Sequence, residues 1–144
     1  MCDIRVASTK AVFAESFLRL GLVSGIGGSW FLVRSVGYSK ALELTLTSEF
    51  IDAEAALGLG IVSKVVPEDE LDIDARSLAK RIAQNPPTAL RMAKRLVREA
   101  ADASLSTTLE MAASMQAILL CGREHKEAVG RFLERQAEKK RTHM

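Results

Sequence analysis

The stretch Leu20-Gly21-Leu22-Val23-Ser24-Gly25-Ile26-Gly27-Gly28-Ser29-Trp30 decides how this chain is read. Four glycines fall within eight residues, between two apolar segments. Glycine adopts backbone angles that are costly for other residues, and it lets other groups come close to the main chain. Beyond Gly28, the residues Trp30, Leu32, Val33 and Val36 recur at helical spacing. The order is therefore extended chain, glycine turn, helix N-terminus. A helix start carries unpaired N–H groups and a partial positive charge. Such a turn suits a phosphate, a thioester oxygen or a carboxylate, and it equally suits close packing of a helix on a sheet. Neither G-x-x-x-x-G-K-S/T nor G-x-G-x-x-G occurs, which excludes the P-loop and the dinucleotide fingerprint.

On the N-terminal side, Ile4 and Val6 alternate with Asp3 and Arg5, the period of a half-buried strand. No turn or cap precedes them, so the chain reads as beginning inside an element. Ala11 to Phe13 is a second short extended piece. On the C-terminal side the helix from Gly28 is expected to stop near Gly37. Ser39 then caps a helix over Lys40 to Leu46, with Ala41, Leu42, Thr45 and Leu46 inward. Asp52 caps a short helix from Ala53 to Leu59, and the β-branched run from Ile61 to Val66 is extended up to Pro67.

The remainder reads as helical. Leu71, Ala75, Leu78 and Ile82 mark one amphipathic helix. Asn85 caps a second, with Pro86-Pro87 at its start, where a missing N–H costs nothing. Leu90, Ala93, Leu96, Val97 and Ala100 are its inward face. Arg91, Lys94, Arg95 and Arg98 lie outside, as a solvated face or a surface for an anionic partner. Ser104 or Ser106 caps a longer helix with Leu105, Leu109, Ala112, Met115, Ile118 and Leu119 inward, Met111 and Met115 serving as adaptable packing. Gly122 interrupts the chain, and a last helix runs from Glu124 to Lys139. The expected fold class is α/β, mostly α. Residues 1–67 form a partial sheet-and-helix core around the glycine turn, and residues 68–144 form a helical oligomerisation region that needs its own copies or another subunit to cover it.

With 144 residues, 48% hydrophobic and 26% charged, the chain is of ordinary globular composition and long enough for a core. A net charge of +2 gives no footprint for nucleic acid. No apolar run approaches the roughly 20 residues of a membrane span, and there is no signal peptide pattern. Cys2 and Cys121 form no metal pattern, no metal site is expected, and two unpaired thiols suit a reducing, cytoplasmic setting.

A set of ordered motifs carries a resemblance. Cys2-Asp3-Ile4-Arg5-Val6-Ala7-Ser8, Leu20-Gly21-Leu22, Gly27-Gly28, Val36-Gly37, Ala41, Glu43, Leu46-Thr47, Asp52-Ala53-Glu54-Ala55, Gly60-Ile61-Val62, Val65-Val66-Pro67, Asn85-Pro86-Pro87 and Phe132-Leu133-Glu134 resemble the crotonase superfamily, the enoyl-CoA hydratase/isomerase family. The likeness runs from Cys2 to about Lys139. It implies the C-terminal half of a crotonase-like spiral of ββα turns, followed by a helical trimerisation region. It implies an acyl-CoA thioester as substrate, with no separate cofactor, and self-association as a trimer or a dimer of trimers. By the same resemblance, the loop that holds coenzyme A and both N–H groups of the usual oxyanion hole belong to a part before Met1.

The family's acids map onto apolar residues. Its hydratases set two glutamates around one water, an acid/base pair at hydrogen-bond reach. The first maps before Met1. The second lies four residues after the phenylalanine of the second strand, a place held here by Phe17. Some family isomerases use an Asp inside the glycine turn, and that place, between Gly25 and Gly27, is Ile26, while Ser24 stands where a proline is common. Phe17, Gly25, Ile26 and Gly27 are then expected to line the acyl pocket. Glu15, two residues before Phe17, shares its face if the chain is extended, and is the candidate catalytic carboxylate. Arg135 falls where the family often has a Lys or Arg reaching the coenzyme A phosphate of a neighbouring subunit. It serves either that contact or as a solvated cation near a helix end. His125 and His143 are expected in solvated positions. Without the mapped acids the chain alone is not expected to turn over substrate. The other reading is a non-catalytic oligomerising or regulatory module derived from a crotonase.

Overall fold

The computed structural model describes residues 2–142, with side chains as far as Glu138. Met1 and His143 lie outside the described residues. The chain forms two compact units, dividing between Leu78 and Ala79.

In the first unit, β1 (Val6–Ser8) pairs in parallel with β4 (Lys64–Val66), in the register Val6–Lys64, Ala7–Val65, Ser8–Val66. A second, antiparallel pair joins β2 (Val12–Phe13) to β3 (Ile51–Asp52). Parallel strands need a crossover between them. Here it contains a 3-10 turn over Phe17–Leu20, α1 (Gly28–Val36), α2 (Tyr38–Thr47) and α3 (Ala53–Gly58). Ala7, Ala56 and Val62 form the buried centre, with Phe13, Ile51, Ile61 and Val65 packed around them. Ala56 is fully buried, and alanine leaves room for α3 to lie close to the strands. Asp52 caps α3 as its spacing indicates, accepting from the Ala55 N–H at 2.8 Å.

Several local expectations give way to tertiary contacts. Ile4 is 51% exposed and outside β1, where the Arg5 guanidinium instead donates to the carbonyls of Cys2 and Ile61. In the run from Ile61, only Lys64–Val66 is paired. Ser39 lies inside α2, which starts from Gly37 (φ 78°), whose carbonyl accepts from Ala41 at 3.0 Å. On α2 the inward residues are Ala41 and Leu44, with Thr45 half-buried, whereas Leu42 and Leu46 face out. That helix is apolar on both sides, so periodicity alone did not choose the face. On α1, Leu32 and Val36 are half-buried but Trp30 and Val33 are exposed. The end of α2 is held by Ser48, buried and left-handed at φ 51°. Arg19 donates to the Ser48 carbonyl at 2.6 Å and stacks over Phe50, so the 3-10 turn and the end of α2 are tied together.

A 3-10 turn over Glu68–Glu70 leads into α4 (Leu71–Ala83). The Lys64–Asp74 ion pair holds the first turn of α4 to β4. The second unit contains α5 (Pro87–Ala100), α6 (Leu105–Leu120) and α7 (Arg123–Thr142). Ser104 caps α6 by accepting from the Thr107 N–H. Asn85 is not the cap of α5: its side-chain amide donates back to the Ile82 carbonyl, finishing α4, and Pro86 takes the cap position. Proline offers no side-chain acceptor, and Glu124 of α7 supplies one. Its carboxylate accepts from the Thr88 N–H at 3.0 Å and from Thr88 Oγ1 at 2.9 Å. Leu90 and Leu96 are half-buried, as expected of α5, while Ala93, Val97 and Ala100 are exposed. Leu105, Leu109 and Ile118 of α6 are also exposed, because each faces away from the neighbouring helices of its own unit.

Glu124→Ala removes this cross-helix cap. It should lower unfolding stability by about 1–2 kcal/mol, read as a lower urea midpoint, with Glu124→Gln intermediate because the amide keeps one acceptor.

Candidate functional site

The glycine turn delivers α1 to the site. Gly21 is left-handed (φ 68°), and the Leu22 N–H donates to the Phe17 carbonyl, so residues 17–22 close on themselves. Gly27 (φ 82°) takes the cap position of α1, with no side-chain hydrogen bond. Both positions require a backbone that L side chains adopt only with strain. Gly28 is needed for a different reason. A methyl group there would lie 2.2 Å from Ser24 Oγ and 3.3 Å from Glu15 Oε2. A hydroxyl and a carboxylate thus occupy the space that a side chain would take at the first residue of α1.

Glu15 follows β2 in the chain. Its half-buried carboxylate makes no hydrogen bond or ion pair with any described residue. The partial positive charge at a helix start favours a carboxylate in this place by about 0.3–1 kcal/mol. Ser24 Oγ is buried and has no hydrogen-bond partner among the described residues. Glu15 also lines a cavity of about 170 Å³ in the first unit. Its walls are Phe13, Ala14, Leu32, Leu44, Ile51 and Ile61, with Glu49 as a second carboxylate and no basic side chain. An apolar chamber with one or two convergent polar groups is the usual form of a small-molecule site. Among the described residues, no cluster of three or more His, Cys, Asp or Glu side chains is placed to hold a metal ion, and no helix is long and apolar enough to cross a membrane.

Comparison with known proteins fixes the family. The profile of enoyl-CoA hydratase/isomerase matches residues 1–140. The chain belongs to the enoyl-CoA hydratase/isomerase family. A probable enoyl-CoA hydratase, echA8, of Mycobacterium tuberculosis is 37% identical over 95% of this chain and 53% of its own length. A short-chain-enoyl-CoA hydratase of Clostridioides difficile is 35% identical over 91% of this chain and 84% of its own. A crystal structure of a putative enoyl-CoA hydratase/isomerase from Mycobacterium abscessus superposes with a TM-score of 0.88 at 37% identity, covering 93% of this chain and 52% of that one. A putative enoyl-CoA hydratase from Thermobifida fusca, in complex with CoA, gives a TM-score of 0.81 at 34% identity, over 83% of this chain and 46% of that one. The chain spans about half the length of the mycobacterial relative and of both crystal structures. The mostly helical fold with few short strands is that of the crotonase superfamily.

Within this family's fold, the residues singled out from sequence are dispersed. Glu15 lines the cavity, and Phe17 does not. The extended chain that would have put them on one face ends before Phe17, which begins the 3-10 turn. Ile26 is 84% exposed, at the tip of the glycine turn between Gly25 and Gly27. Gly25 has open space around it, and Gly27 lies against the ring of Phe31. None of these three lines the cavity. Arg135 is exposed on α7, in the second unit. His125 is half-buried, where full solvation was expected. It lines a cavity of about 160 Å³ with Gln116 and Glu124. Sequence reasoning missed Glu49, which no motif marks, and saw Ser24 only as a replaced proline.

Gly28→Ala should destabilise the protein measurably in thermal unfolding, since the added methyl meets Ser24. The loss should be smaller when the same change is made in a Ser24→Gly background, because only the removal of that side chain clears the space.

Proposed function

We propose that the chain works in acyl-CoA metabolism as an enoyl-CoA hydratase/isomerase-type protein, with the cavity of the first unit receiving the acyl group of a coenzyme A thioester. The observation that carries this reading is the cavity itself, apolar on most of its wall and lined in part by Glu15, in a chain of this family. The thioester is substrate, and no further cofactor is proposed. Support for a coenzyme A ligand comes also from the CoA complex of the Thermobifida neighbour. Phe17 and Ile26 stand at the mapped acid positions, and neither side chain moves a proton. We therefore infer that the two-glutamate hydration is not performed by this chain alone.

Calorimetry with coenzyme A and butyryl-CoA should show binding. The absorbance of a short enoyl-CoA should fall no faster with the chain than without it. Absence of any thioester binding would overturn the reading, and robust hydration would overturn the assignment of inactive acid positions.

Self-association is the second part of the proposal. In the second unit, Leu105, Leu109, Ile118, Phe132 and Leu133 are each more than half exposed. In this proposal these side chains make up an apolar surface that a partner covers, and a trimer would place these helices against copies of themselves. Arg135, exposed on α7, is proposed to meet a coenzyme A phosphate in such an assembly. The exposed thiols Cys2 and Cys121 are unpaired and fit a reducing, cytoplasmic compartment. Light scattering at micromolar concentration should give a trimer or a multiple of it. A monomer would overturn this part alone.

A further inference from the structure

We infer that Glu15 is a specificity-determining residue, selecting acyl groups that end in a hydrogen-bond donor over plain alkyl groups of the same length. The inference rests on the acyl-thioester reading and concerns what the same cavity accepts. Three observations converge. Glu15 is half-buried against apolar walls and has no hydrogen bond or ion pair among the described residues. Ser24 Oγ, which does not itself line the cavity, is buried and also without a partner among the described residues. Both groups meet at the Gly28 backbone, at 3.3 Å and 2.2 Å from where a methyl group would lie, so they stand no more than about 5.5 Å apart by the sum of those two distances.

In this inference the Glu15 carboxylate turns toward the cavity that the residue lines, and it is hydrated while the cavity is open. An alkyl chain entering would displace that water and return no hydrogen bond, and an acceptor stripped of partners is expensive. A hydroxyl or ammonium at the end of the chain replaces the lost water. Sites built around a buried polar group discriminate most strongly against the analogue that lacks the matching partner. Glu49 adds a second negative charge to the wall, and no lining residue is basic. An ammonium is therefore favoured over a hydroxyl.

The test compares butyryl-CoA, 3-hydroxypropionyl-CoA and 3-aminopropionyl-CoA, equal in chain length, by calorimetry on the full chain. The two donor-bearing thioesters should bind about tenfold or more tightly than butyryl-CoA, a single charge-assisted hydrogen bond. Glu15→Leu should bring all three within about twofold of one another. Glu15→Gln, which keeps the size and an acceptor but no charge, should retain the hydroxyl preference and lose the extra affinity for the ammonium. This second variant decides the matter if Glu15→Leu fails to fold. Equal affinities in the unaltered chain, or a donor preference that survives Glu15→Leu, overturn the inference while butyryl-CoA binding leaves the acyl-thioester reading standing. Failure of every thioester and of coenzyme A itself overturns both.

Discussion

Parallel pairing of Val6–Ser8 with Lys64–Val66 is the constraint on which the first unit depends. A parallel pair cannot be closed by a tight turn. Everything between the two strands must leave the sheet and return, and the returning chain must cover it. Ala7 on β1, Ala56 on α3 and Val62 just before β4 are the points where that return is sealed. Their small size sets how closely α3 approaches. Enlarging Ala56, which is fully buried, would push the helix off the strands and open the register that Ser63 helps to hold through its two bonds to the Arg5 carbonyl.

The glycine turn solves a separate problem inside that crossover. The chain has to pass from β2 into α1 while leaving Glu15 and Ser24 beside the helix start. Left-handed backbone at Gly21 and Gly27 makes the turn, and the missing side chain at Gly28 leaves the space. The two uses of glycine, conformational and steric, are thus distributed over different positions of one motif. A carboxylate at the helix start and an apolar chamber beside it follow from the same geometry.

Much of this was legible beforehand, for identifiable reasons. The cap at Asp52, the stop at Gly37 and the run of helices after the last strand depend on local chemistry, which sequence states directly. The ordered motifs gave the family, because many short matches in register are hard to meet by chance. What sequence did not give was facing. Leu42 and Leu46 fit an inward stripe as well as Ala41 and Leu44 do, and only packing separates them. The cap on α5 escaped for a related reason: Glu124 lies 36 residues from Thr88, in another helix, and no local pattern links them. The cavity escaped as well, since Glu49 reaches it only after α2 has turned the chain back. The alternation that placed Glu15 beside Phe17 failed when the chain left the extended conformation between them.

This separation of local from tertiary signals bears on how far the family fold depends on the mapped acid positions. The strand pairing, the buried alanines and the left-handed glycines make no use of the side chains at 17 and 26. Phe17 is accommodated at the head of a 3-10 turn, and Ile26 at an exposed tip, without disturbing any of them. Neither position takes part in the strand pairing or the buried centre, so the scaffold does not depend on which side chain stands there. The same argument makes Glu15 the informative carboxylate. It sits where the scaffold itself, through Gly28, has been kept open for it. The start of α1 offsets only part of the cost of a half-buried carboxylate that has no hydrogen bond or ion pair among the described residues, so a partner is expected from outside the fold.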